Sequence, residues 1–144
     1  MNFQITTQPQ PIFYNAIGGK GNYISVTFSL RPTSKTLTMK LIDEEGSDRS
    51  LFCLPLRIYN QQTGEILHYN QDESTGNITL TPSLGVGRLA FDFQITCVSS
   101  KVNNSKFCLS LSNAAKQQIE TNGITVFSKR KRNRIKTNEK REQA

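Results

Sequence analysis

Apolar and polar residues alternate along most of this chain with a period of two, the signature of strands that bury one face. Ile24, Val26, Phe28 and Leu30 alternate with Ser25, Thr27 and Ser29. Leu37, Met39 and Leu41 alternate with Thr38 and Lys40, and Phe52, Leu54, Leu56 and Ile58 continue the pattern. Pro55 places that third run at an edge or a bulge, because proline cannot donate to a ladder. The longest alternation is Leu89, Phe91, Phe93, Ile95 and Cys97, followed by a polar loop from Ser99 to Ser105 interrupted only by Val102. Phe107, Leu109 and Leu111 alternate again, and Ile124 to Phe127 form a last short apolar run.

Weaker signals fill the gaps. Phe3 and Ile5 fit a short edge strand in an otherwise loop-like, proline-bearing segment up to Pro11. Glu65 to Tyr69 reads as the return strand of a hairpin closed by Asn60–Gly64, and Ile78 and Leu80 as a short strand stopped by Pro82. Ala114 to Ile119 has the composition for about two turns of helix, the one helical candidate in the folded part. About seven to nine short strands with turn residues between them predict an antiparallel β-sandwich or barrel. If each strand simply reverses, the Ser99–Lys106 loop and the acidic loops at 43–48 and 70–75 share the end from which the C-terminus leaves. Arg31, Lys35, Arg88 and Lys116 then gather at the other end.

Charge divides the chain in two. The 144 residues carry a net charge of +7. Positions 129–144 hold eight basic residues and two acidic ones, and the preceding 128 hold ten basic against nine acidic, a net of only +1. The expected organisation is a sandwich domain over 1–128 and a basic, flexible tail over 129–144. The high isoelectric point belongs to the tail.

Candidate chemistry narrows the function classes. His68 is the single histidine and has no nucleophile or carboxylate at a recognisable spacing, so a surface or structural histidine is expected and no catalytic residue is assigned. Cys53, Cys97 and Cys108 lack metal-ligand spacing, and no metal or other cofactor is expected. They fit small apolar packing residues, although Cys97 and Cys108 flank a hairpin and a disulfide between them stays open. Gly18, Gly19 and Gly21 precede a strand instead of a helix, which argues for a turn over a phosphate-binding loop. The Asp43-Glu44-Glu45…Asp48 cluster lacks the spacing of a calcium loop and reads as solvated. No apolar run is long enough for a transmembrane helix, and the N-terminus lacks the pattern of a secretory signal. An intracellular protein without membrane contact is expected, so the sequons at Asn77 and Asn103 carry no weight.

The strongest functional signal is Lys129-Arg130-Lys131-Arg132, with Arg134 beyond it. Such a block suits the acidic groove of a nuclear-import receptor, or phosphates, whose neutralisation releases counterions. The segment Phe91-x-Phe93-x-Ile95, then Val98-Ser99, Asn103-Asn104-Ser105-Lys106, Phe107-x-Leu109 and Ile124-x-Val126-x-Ser128-Lys129-Arg130 resembles the closing strands of Ig-like, p53/Rel-like transcription-factor domains. The resemblance covers about the last third of the chain. The zinc ligands of the p53 type and the Arg-Tyr recognition loop of the Rel type have no counterpart here. It implies an Ig-like sandwich in the nucleus, the DNA-binding domain of a transcriptional regulator, without enzymatic activity. Double-stranded DNA would meet Lys101, Asn103, Asn104 and Lys106 from the loop and Lys129, Arg130, Lys131, Arg132 and Arg134 from the tail. For Asn103-Asn104 a turn with unusual backbone angles is an equally good explanation. Arg31, Lys35 and Arg88 form a rival basic surface. The alternative function is a sandwich that binds another protein, its tail serving only for nuclear import or anchoring. A protein partner or a homodimer stays open, with no heptad or large apolar stripe to support the latter.

Overall fold

A computed structural model describes residues 3–15, 22–31 and 35–128. In chain order the strands are β1 (Phe3–Thr7), β2 (Ile12–Tyr14), β3 (Ile24–Leu30), β4 (Leu37–Asp43), β5 (Cys53–Asn60), β6 (Asn70–Gln71), β7 (Ile78–Leu80), β8 (Arg88–Ile95), β9 (Phe107–Asn113), β10 (Gln118–Glu120) and β11 (Thr125–Phe127). Short 3-10 turns precede β5 (Ser50–Phe52) and β9 (Ser99–Val102). The protein is all-β, and its two main sheets are antiparallel, with strand orders β1-β3-β8-β5 and β10-β9-β4-β7-β6.

The alternation in the sequence decides what each sheet buries. Ile24, Val26, Phe28 and Leu30 of β3 and Leu89, Phe91, Phe93 and Ile95 of β8 face inward. From the other sheet come Leu37, Met39 and Leu41 of β4 and Phe107, Leu109 and Leu111 of β9, and all of these join one hydrophobic cluster. Phe91 and Phe93 stack at 4.7 Å between ring centroids. Each fully buried phenylalanine contributes about 1.5–3 kcal/mol relative to an exposed one, so the phenylalanine-rich centre is where folding free energy is concentrated. One charged side chain at an outward position of β8 is buried. Asp92, between Phe91 and Phe93 and only 2% exposed, accepts hydrogen bonds from Ser25 Oγ (2.7 Å) and Arg57 Nε (2.6 Å). The Arg57 guanidinium lies 4.6 Å from the Tyr59 ring centroid, so the buried carboxylate is paired and its partner is itself supported.

Pro55 sits on an edge strand and at a bulge together: β5 ends its sheet, and its register with β8 slips between Pro55 and Arg57. The return strand expected over Glu65–Tyr69 is reduced to a single bridge, Tyr59–Ile66. The chain then crosses to the opposite sheet, where Asn70–Gln71 pairs with β7 as its edge. The helix expected over Ala114–Ile119 does not form. Lys116 adopts a left-handed φ of 63°, and Asn113 and Gln117 close the turn through backbone and side-chain hydrogen bonds, so 118–120 returns as β10. Six residues of helix propensity do not repay helix nucleation when a β edge is available. Cys97 and Cys108 do not flank a hairpin within one sheet, because β8 and β9 belong to different sheets; all three cysteines are free thiols. A further departure from simple reversal is β11, which pairs in parallel with β2 and so ties the C-terminal strand to the N-terminal segment.

Candidate nucleic-acid interface

The pairing registers place the loops. Opposite Ile24 stands Phe93, opposite Cys53 stands Ile95, and opposite Asp43 stands Phe107. One end of the sandwich therefore gathers the chain at 43–50, at 72–77 and at 96–106. Ile124 bridges Phe107 at this same end, and β11 carries on from there to the exposed Ser128. At the other end Ser29 pairs with Arg88 and Leu37 with both Asn113 and Leu80. Arg31, Lys35, Arg88 and Lys116 lie there, as strand reversal implies.

The loop before β9 is built from its own sequence. Ser99–Val102 makes a 3-10 turn whose Val102 is buried, anchoring an otherwise polar stretch. Asn103 and Asn104 follow with φ of 57° and 58°, the left-handed region that asparagine tolerates better than most residues. Lys101, Asn103, Asn104 and Lys106 are all exposed. The asparagines thus reverse the chain, as the turn explanation requires, and both remain exposed. Lys106 runs its aliphatic stem across Gly123, which holds the start of the side chain against the fold.

Side chains brace this loop to its neighbours. Glu44 N donates to Ser105 Oγ at 2.8 Å, and Lys106 N donates to Glu44 Oε1 at 3.1 Å. Ser99 Oγ accepts from Val126 N at 2.9 Å, so the loop also fixes the strand that delivers the tail. A small cleft of about 100 Å³ remains between the two loops, lined by Asp43, Glu44, Glu45, Val102, Asn103 and Ser105.

Asp43 organises the acidic loop. It is 4% exposed and accepts from Glu45 N (2.9 Å), Ser47 N (3.0 Å) and Arg49 Nε (2.8 Å). Burial pushes its carboxyl up, but the Arg49 guanidinium and the two backbone amides outweigh that and hold it below the usual carboxylate range. Asp48 follows the same logic: burial raises it, while Ser50 and Asn77 lower it further. Asp72 is lowered by Ser74 and by the amides of its own turn. The acidic loops are exposed as expected apart from Asp43, and hydrogen bonds at Asp43, Asp48 and Asp72 hold them in defined turns. The sequence carried a faint sign of this in Asp43-x-x-Gly46, since aspartate caps the turn that Gly46 completes at φ 84°.

Tail residues Lys129, Arg130, Lys131, Arg132 and Arg134 lie outside the described residues, as do Gly18, Gly19 and Gly21. His68 is exposed, beside Tyr69 in an open groove that Thr36, Thr79 and Thr81 also line. Burial pushes the Cys53 thiol up to about 12, the condition of an inert packing residue. Among the described residues no cluster of three histidine, cysteine or acidic side chains could hold a metal ion, and no helix is long and apolar enough to cross a membrane. No protein-family model matches the chain, and no curated protein matches it.

Proposed function

We propose that the protein is a nuclear DNA-binding domain of Ig-like type, part of a transcriptional regulator. The observation that carries this is convergence: the exposed Lys101, Asn103, Asn104 and Lys106 share one end of the sandwich with Ser128, from which the block Lys129–Arg132 and Arg134 continues. A braced loop offers lysines and amides at fixed positions, and the basic block adds phosphate contacts without reading bases. The lysines supply position and affinity; Asn103 and Asn104 supply groups able to pair with a base edge.

The test is fluorescence anisotropy with the full chain and duplex DNA over a range of salt. Affinity should fall with salt by a log–log slope of roughly −0.9 for each phosphate neutralised. K129A/R130A/K131A/R132A should reduce the slope by about 3–4, and K101A/K106A by about 1–2. Absence of binding at low salt would sink the proposal. The second reading, a protein-interaction module with an import signal, is favoured by Glu44, Glu45, Asp48, Asp72 and Glu73 at the same end, because these oppose a polyanion. Its import half is tested by the same four-alanine block in a fluorescent fusion too large to diffuse into the nucleus. Unchanged accumulation would dismiss an import role.

A further inference from the structure

The ionisable side chains of the described residues are not evenly spread. At the tail end, six acidic residues (Asp43, Glu44, Glu45, Asp48, Asp72, Glu73) meet three basic ones (Arg49, Lys101, Lys106). At the far end, Arg31, Lys35, Arg88 and Lys116 meet a single acid, Glu65. The near-neutral total of the domain therefore conceals a polarity of about three charges at each end. These far-end cations belong to both sheets. Leu30 N donates to Gly87 O at 2.8 Å, which sets Arg31 beside the start of β8 at Arg88. Leu37 pairs with Asn113, which sets the residues before β4, Lys35 among them, beside the turn that carries Lys116. All four are exposed. Lys116 is held outward by a left-handed backbone that its own turn fixes, so the charge is presented by the fold.

The two ends are separated by the length of the strands, eight residues in β5 and β8, roughly 25 Å. A duplex engaged by the Lys101–Lys106 loop and the basic block at one end leaves the far end free to meet another phosphate backbone. We infer that the far end is a second, independent phosphate-binding surface, and that the protein bridges two segments of duplex DNA. This rests on the DNA-binding reading above and adds to it a second contact face, with a class of ligand, the nucleic-acid backbone, recognised by charge and not by base edges.

The experiment uses the full chain, a biotinylated duplex on beads and a second, fluorescent duplex of the same sequence. The wild-type protein should hold the first and capture the second. R31Q/R88Q/K116G, with unchanged urea midpoint or better, should still hold the first duplex while capture of the second falls about tenfold or more. Its anisotropy salt slope for whichever duplex occupies the far end should drop by about 2.7, three phosphate contacts at roughly 0.9 each. Retention of the first duplex without capture of the second by the wild type would overturn bridging and leave DNA binding standing. So would equal capture by the variant, which would mean that pairing between protein copies links the duplexes. Failure to retain even the first duplex would overturn both readings.

Discussion

Gly76 and Gly64 sit in tight turns at opposite ends of the sandwich with nearly the same backbone, φ 78° and 81°. Around Gly64 there is open space, whereas a Cβ on Gly76 would fall onto the backbone of Ser50 and Leu51. The pair summarises how the ends differ. Far-end turns are closed chiefly by local hydrogen bonds, Asn60 with Gly64 and Glu65, Ser83 with Val86, Asn113 with Gln117, with Gln61 N also reaching Arg88 O. Tail-end loops are tied to one another: Ser50 Oγ accepts from Leu41 N and Asn77 Nδ2, Asn77 also reaches Asp48, and Ser105 accepts from Glu44. A turn closed mainly by its own bonds tolerates change. A turn that others rest on does not.

That contrast can be broken most severely at Gly76. G76A should cost about 3–4 kcal/mol in urea unfolding, since both the backbone conformation and the contact with Ser50 must give way. A loss below about 1 kcal/mol would mean that the 72–77 turn is not seated against Ser50. Next comes Asp43. D43A strands two backbone amides and the Arg49 guanidinium and should cost about 2–3 kcal/mol. The pH dependence sharpens this. Asp43, Asp48 and Asp72 all have folded pKa values below the ordinary 3.8, so the unfolded chain binds protons first on acidification. Their stabilisation is therefore complete above about pH 4–5 and is lost as pH falls through the lowered folded values. D43N should flatten that acid limb in urea titrations; an unaltered limb would remove Asp43 from the account.

At the far end the effects shrink. G64A should cost about 1 kcal/mol, the strain of a left-handed alanine with nothing in its way. Lys116 is already a side chain in that region, and K116G should raise stability by about 0.5 kcal/mol as relief of strain outweighs added chain entropy. A destabilising K116G would show that the lysine side chain contributes packing that its exposed position does not suggest.

The legible parts of the fold were those set by local alternation. Phe28, Phe91, Leu109 and their neighbours occupy the inward faces their spacing dictates, and Pro55 marks an edge and a bulge because proline has no amide to offer a partner. The failures occurred where a bulge shifted the strand or where partners lay far off in sequence: across the Pro55 bulge Leu54 and Leu56 of the expected inward face are each 46% exposed, while Cys53 and Ile58 are buried. Ala114–Ile119 carries helix propensity, yet 118–120 lies along β9. Glu65–Tyr69 has the apolar content of a strand, but its neighbour on β5 is met only at Ile66 before the chain changes sheet. Of the candidate site, the exposure of Lys101, Asn103, Asn104 and Lys106 was legible from the polar loop. Their bracing by Glu44, some sixty positions earlier, was not.

By itself the sequence determined the inward faces of β3, β4, β8 and β9, that the chain is all-β, and that nearly all its net charge lies beyond residue 128. These are consequences of period-two alternation and of simple charge, both of which are local. Only the tertiary structure decided that Asp43 is a buried hydrogen-bonding centre and not a solvated acid, that Glu44 braces the Ser105–Lys106 loop, and that β11 pairs in parallel with β2. Those properties depend on which loops become neighbours. Strand register fixes that, and register is set by pairing between segments that composition alone does not bring together.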